Sequence, residues 1–196
     1  AKGSGIVGDG FEQIEKKLGL SKSKKSNTRE PPQDQLKPLI NLYNQDKLQQ
    51  VLLAAENLLN QYPYSGVIHN MIGAANQRLG KLDEAIEAYT SGLAIQPDFA
   101  DTHNNMGVAL KEQGRIEEAL EAYTKALSIK PDYADAHYNM GNALQEQGKL
   151  NEAIKAYRKA LSIKPDYAEA YSNMGVVLND LGKLDEAIEA YNKALS

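Results

Sequence analysis

Apolar residues recur at steps of three and four along most of the chain, a spacing that predicts helices. Between Ala134 and Tyr167, His137, Met140, Gly141 and Leu144 mark one face of a first helix. Ala153, Ile154, Tyr157, Ala160 and Leu161 mark one face of a second. Gly148 separates the two, because glycine takes the left-handed conformation that ends a helix without a Cβ penalty. Glu152 stands in the first turn of the second helix, where a carboxylate suits the helix dipole. Pro165 stops that helix and Asp166 opens the next stretch.

The pattern repeats. Pro63, Pro97, Pro131 and Pro165 stand 34 residues apart, and so do Gly80, Gly114, Gly148 and Gly182. Three more ladders keep the step: Gly73, Gly107, Gly141 and Gly175; Ala85, Ala119, Ala153 and Ala187; Tyr89, Tyr123, Tyr157 and Tyr191. Lys125–Ala134 recurs unchanged at Lys159–Ala168. A glycine inside a helix, such as Gly141, costs about 1 kcal/mol relative to alanine, so its recurrence needs a recurring gain. Close approach of the two helices is the expected gain, with Ala153 facing Gly141 and Tyr157 filling the space where one unit meets the next. One helix pair cannot bury both of its faces, so stability is expected to come from stacking.

Gly, Ala, Tyr and Pro at these offsets resemble the tetratricopeptide repeat. The resemblance implies an all-α fold, a right-handed superhelical solenoid of antiparallel helix pairs. It covers residues 66–196 as four units, 66–99, 100–133, 134–167 and 168–196. Gly92 departs from Ala126, Ala160 and Ala194 of the other units. Residues 31–65 read as a degenerate, capping unit. There Asp46 replaces the turn glycine, and Pro38 places the start of the first helix near Asp34, since proline is tolerated only in a first turn.

Residues 1–30 read as a separate basic extension. Phe11, Ile14 and Leu18 share one face of a short amphipathic helix, which either frays or docks onto the array of its own or a neighbouring chain. This extension carries a net +3 of the overall −4, leaving −7 on the rest. An acidic body without a basic face argues against nucleic acid as a partner. No apolar run approaches the roughly 18 residues that span a bilayer, and no secretory signal is read at Ala1–Gly10. A cytoplasmic location is expected. The chain has no cysteine, which removes disulfides, thiolate ligands and a cysteine nucleophile.

The resemblance implies that the first helix of each unit lines a groove. Carried over position by position, the groove residues include Asn70, Asn104, Asn105, Tyr138, Asn139, Asn142, Ser172 and Asn173. Acidic residues Asp101, Glu112, Asp135, Glu146, Glu169 and Asp180 lie at the groove or its rim. Asn105, Asn139 and Asn173 form a ladder. A side-chain amide carries donor and acceptor, and stacked helices lie roughly 10 Å apart. An extended chain rises about 3.3 Å per residue, so one rung would meet about every third ligand residue. The ladder resembles that of O-linked N-acetylglucosamine transferases, as does the text Tyr133-Ala-Asp-Ala-His-Tyr-Asn-Met-Gly141. The residues equally allow a generic groove asparagine and purely solvated carboxylates. The implied partner is a protein or extended peptide, neutral to basic, because Lys and Arg are missing where repeats that clamp acidic tails carry them.

Nothing in the chain reads as catalytic. No phosphate loop, nucleophile elbow or paired-histidine helix motif occurs, and no cofactor is implied. His69, His103 and His137 repeat one packing position, roughly 10 Å apart, too far to share a metal. Paired acids such as Asp83-Glu84 and Asp185-Glu186 read as helix-start residues. The expected function is a protein-interaction scaffold, not an enzyme. Two alternatives stand beside it. The array self-assembles through Ile188, Tyr191 and Leu195 of the last unit or through the N-terminal helix, or it recruits partners for a larger glycosyltransferase- or sulfotransferase-type enzyme.

Overall fold

The computed structural model describes residues 30–195, so the amphipathic segment around Phe11 and Leu18 lies outside the described residues. Among them the chain forms ten helices and no strand. They are α1 (Gln33–Asn44), α2 (Leu48–Leu59), α3 (Gly66–Arg78), α4 (Leu82–Ile95) and α5 (Ala100–Glu112). There follow α6 (Ile116–Ile129), α7 (Ala134–Glu146), α8 (Leu150–Ile163), α9 (Ala168–Asp180) and α10 (Leu184–Ala194). No helix among the described residues is long and apolar enough to cross a membrane.

Two compact units divide between Ala109 and Leu110. In the first, α1 packs on α2, α2 on α3 and α3 on α4. Its core joins Leu36, Leu39 and Ile40 of α1 to Ala55 of α2, Ile68 and Met71 of α3, and Phe99. In the second, α6 packs on α7, α7 on α8, α8 on α9 and α9 on α10. There Ile154, Tyr157 and Leu161 of α8 meet Ala170, Met174 and Val177 of α9 in one cluster. The second helices α2 and α8 thus each lie against their own partner and against the first helix of the next pair.

The helix-ending glycine does what the sequence asks of it. Gly148 has φ +74°, and the bonds Gly148 N–H to Gln145 O and Lys149 N–H to Leu144 O, both 2.9 Å, close the turn. Asp46 takes the equivalent left-handed place in the degenerate unit at φ +59°. Its carboxylate lies 2.6 Å from Arg78. The first helix of that unit starts at Gln33, one residue before the expected Asp34, and carries Pro38 in its second turn. The helix continues through the proline with one backbone bond fewer.

The glycines inside α3, α7 and α9 have the tyrosine of the paired helix as their nearest neighbour. A Cβ on Gly141 would lie 2.6 Å from Cε1 and 2.7 Å from Cδ1 of Tyr157, with no Ala153 atom as near. Gly175 meets Tyr191 in the same way at 2.7 Å, and Gly73 meets Tyr89. The tyrosine ring lies across the glycine within its own helix pair. Its plane needs the space of a missing methyl. The Gly92 departure also has a steric reason. A methyl there would stand 3.2 Å from His69 Cβ and 3.3 Å from Gly66 O.

One cap was not visible from local spacing. Ser65 is the N-cap of α3, its Oγ accepting from Ile68 N–H at 3.1 Å. The carboxylate of Glu30 then accepts from Ser65 Oγ–H and, at 2.9 Å, from Gly66 N–H. A charge 36 residues earlier thus sits on the positive end of the helix.

Candidate functional site

The expected groove residues all fall on first helices, but they do not share one environment. In the first unit, Asn70 is fully buried and its Oδ1 accepts from Asn105 Nδ2 at 3.2 Å. Asn104 and Asp101 are buried too, at 5% and 6% exposure. All three side chains are withdrawn from solvent among the packed helices. Asn105 is half-buried.

In the second unit the equivalent face is more open. Asp135, Tyr138, Asn139, Asn142, Ser172 and Asn173 are half-buried, and Glu112, Glu146, Glu169 and Asp180 are exposed. Its centre is a polar network. Asn173 Nδ2 donates to Tyr138 Oη at 3.0 Å and to Asn142 Oδ1 at 2.9 Å. Tyr157 Oη lies 2.8 Å from Asn142 Oδ1 and 2.9 Å from Gln145 Oε1, both acceptors for its single proton. Tyr138 stacks at a tilt on Tyr167, centroids 4.9 Å apart, and stands 6.1 Å from Tyr157. Burial, with Tyr138 adding to it, raises the Tyr157 hydroxyl well above the usual phenol range. Burial, then the Asp135 carboxylate, does the same to Tyr167. Both phenols stay protonated at any ordinary pH and act as fixed dipoles.

Charge at this face is negative and lightly paired. Lys111 reaches Glu146 at only 3.8 Å, with both side chains partly in solvent, an interaction worth little. The histidines pack elsewhere. Nε2 of His103 lies 2.9 Å from Pro97 O, and Nε2 of His137 lies 3.0 Å from Pro131 O. His69 lies against the Gly92 position, and burial lowers its pKa.

A second concavity lies on the opposite side of α9, a cavity of 360 Å³ lined by Leu161, Tyr171, Met174 and Leu178. At about 100° per residue these α9 positions face away from Asn173. An Arg158–Glu186 pair at 2.9 Å borders it. Sequence reasoning passed over it, although a signal existed. Arg158 stands where other units have Thr90 and Thr124, and Tyr171 where they have histidine. The Tyr157 network was missed as well. Its signal was Gln145, twelve residues before the tyrosine, as Gln77 is before Tyr89, whose hydroxyl donates to it at 3.0 Å.

Comparison with known proteins agrees with this architecture. A family model described as TPR repeat matches residues 73–114, 109–148 and 141–182, more than half of the chain. A search among curated proteins finds no match. Among solved structures, MamA superposes with a TM-score of 0.72 at 25% identity, covering 80% of this chain and 92% of MamA. The pilF protein of Pseudomonas aeruginosa gives 0.79 at 21% identity, covering 83% and 74%. YrrB, a TPR protein with an unusual peptide-binding site, gives 0.66 at 19% identity, covering 82% and 83%. With three overlapping matches laid on helix pairs of this geometry, the chain belongs to the TPR repeat family.

Proposed function

We propose that the chain is a protein-interaction scaffold that holds an extended, neutral or basic peptide segment against α7 and α9. The observation that carries this reading is the open amide network of Tyr138, Asn142 and Asn173 with exposed carboxylates around it. Such a surface offers hydrogen bonds to a backbone and attraction to lysine or arginine. YrrB, a fold neighbour with a peptide-binding site, supports the class of ligand. The likeness of the asparagine positions to the ladder of O-linked N-acetylglucosamine transferases supports it further. Membership of a repeat family, with no catalytic family indicated, agrees with a binding role.

The test is a titration of the isotope-labelled chain with two capped octapeptides, one alternating alanine and lysine, the other alanine and glutamate. The lysine peptide should shift the resonances of Tyr138, Asn142, Ser172 and Asn173. Replacing both Glu169 and Asp180 with lysine should weaken it about fivefold at low salt, given the worth of exposed charge pairs. Tighter binding of the glutamate peptide, or no response from the α7–α9 face, would sink the proposal.

A second reading, self-association, has its own observation. On α10 and at its C-cap, Leu184, Ile188 and Leu195 are 58%, 59% and 88% exposed, whereas Ile154 and Leu161, which match Ile188 and Leu195 on α8, are 4% and 8% exposed. This stripe would be buried by another copy. Sedimentation velocity should then show growing oligomers as concentration rises, abolished by Ile188→Glu. A chain that stays monomeric throughout rules this reading out.

A further inference from the structure

We infer that the cavity between α8, α9 and α10 binds a free α-amino acid with a large apolar side chain, its carboxylate on Arg158 and its ammonium on Glu186 and Glu189. The inference does not rest on the peptide-binding face, which lies on the other side of α9.

The floor of the cavity is apolar. Tyr171, Met174 and Leu178 follow one another at steps of three and four on α9, and Leu161 of α8 and Ala190 of α10 close the sides. Met174, Leu178, Leu161 and Ala190 are buried, and Tyr171 is half-buried. The space of 360 Å³ stands near the lower end of the roughly 300–1,000 Å³ of small-molecule sites. It has room for one ring or one branched side chain with its polar end. The Met174 thioether and the Tyr171 ring both make favourable contacts with an aromatic ligand.

The mouth is charged, and its charges balance. Arg158 stands on the α8 wall, and Glu186, Glu189 and Lys193 stand on the α10 wall. Arg158 lies 2.9 Å from Glu186, and Lys193 lies 3.3 Å from Glu189. Lys193 Nζ is also 5.8 Å from the centre of the Tyr171 ring. A ligand with a single charge meets its like at this mouth, whichever sign it carries. A zwitterion can turn each end to its opposite. The carboxylate of an amino acid matches the planar guanidinium through two parallel N–H···O bonds. Its ammonium, one carbon away, takes Glu189 and the Glu186 carboxylate that Arg158 releases. Opening the Arg158–Glu186 pair costs little, because the two side chains are 59% and 46% exposed and exposed pairs contribute little. Every charge then keeps an opposite partner, while the apolar side chain of the ligand leaves water for the floor.

The same place one unit earlier lacks this chemistry. There Thr124, His137 and Lys155 stand for Arg158, Tyr171 and Glu189, while Glu152 and Lys159 keep the charges of Glu186 and Lys193. That set has one carboxylate against two ammonium groups and no guanidinium, so it does not grip both ends of an amino acid. The departures at Arg158 and Tyr171 fall together on one cavity, and Arg158 ties its α8 wall to a carboxylate 28 residues away on α10.

The experiment uses the whole chain with its methionine methyl groups labelled for resonance. Met71, Met106, Met140 and Met174 give four signals, and of these Met174 lines the cavity. L-Phenylalanine should shift the Met174 signal saturably and leave in place that of Met140, its counterpart one unit earlier. 3-Phenylpropanoate lacks the ammonium and 2-phenylethylamine lacks the carboxylate. Each should bind about fivefold more weakly, the worth of one exposed charge pair. Arg158→Thr installs the residue of two other units. It should weaken phenylalanine about fivefold and not weaken 2-phenylethylamine. Glu186→Gln should weaken phenylalanine and spare 3-phenylpropanoate. Absence of a saturable Met174 shift up to the solubility limit of phenylalanine would overturn the site. Analogues that bind as tightly as phenylalanine, or an equal shift at Met140, would mark a nonspecific apolar contact and overturn the recognition. A capped helical peptide containing phenylalanine that shifts Met174 where the free amino acid does not would give the cavity to a protein partner and overturn the proposal as well.

Discussion

Replacing Tyr157 with alanine should lower stability by about 3–5 kcal/mol, the range for removing a large buried aromatic side chain. The ring is fully buried in the cluster that joins α8 to α9. It also lies across the slot of Gly141, with its hydroxyl in the polar network. Truncation leaves a cavity bounded by helices that cannot close on it without breaking the 34-residue register. Urea unfolding followed by circular dichroism checks the loss. Tyr157→Phe, which keeps the ring and removes only the hydroxyl, should cost about 0.5–1.5 kcal/mol. If the alanine variant costs no more than the phenylalanine variant, the ring does not carry the packing assigned to it.

Gly141→Ala should destabilise by about 1–3 kcal/mol, the usual result of overpacking a core. The direction is informative, because helix propensity alone predicts a gain of about 1 kcal/mol from the same change. The added methyl would stand 2.6 Å from the Tyr157 ring, and the ring is held at its far end by hydrogen bonds to Asn142 and Gln145. In a Tyr157→Ala background the clash is gone, so Gly141→Ala should there become neutral or stabilising. That reversal of sign in a double-mutant cycle is the decisive readout; a loss that persists without the ring would place the cause elsewhere.

The helical architecture was open to local inspection because its causes are local. A period of 34 residues, a glycine at each turn and a proline after each second helix act within a few residues of where they stand. Asp46 shows the rule holding even where the residue type changes. It replaces a turn glycine in the sequence and adopts φ +59° in the fold. The TPR repeat match follows from the same ladders.

Sequence alone therefore determined the helices, their pairing and the side of each first helix that carries Asn105, Asn139 and Asn173. It did not determine which of these side chains a ligand could reach. Asn70 and Asn142 belong to matching faces of matching helices, yet one is closed under Asn105 and the other is open beside Asn173. Nor could it place the Tyr157 ring against Gly141 as well as between units, or bring Glu30 to the start of α3. The reason is physical. Periodicity specifies the direction in which a side chain leaves its helix, whereas exposure and hydrogen bonding depend on groups from another helix, some 31 to 36 residues away. Only the packed structure sets those distances, and they decide which groove-side asparagines are closed off and which stay half-buried at the surface.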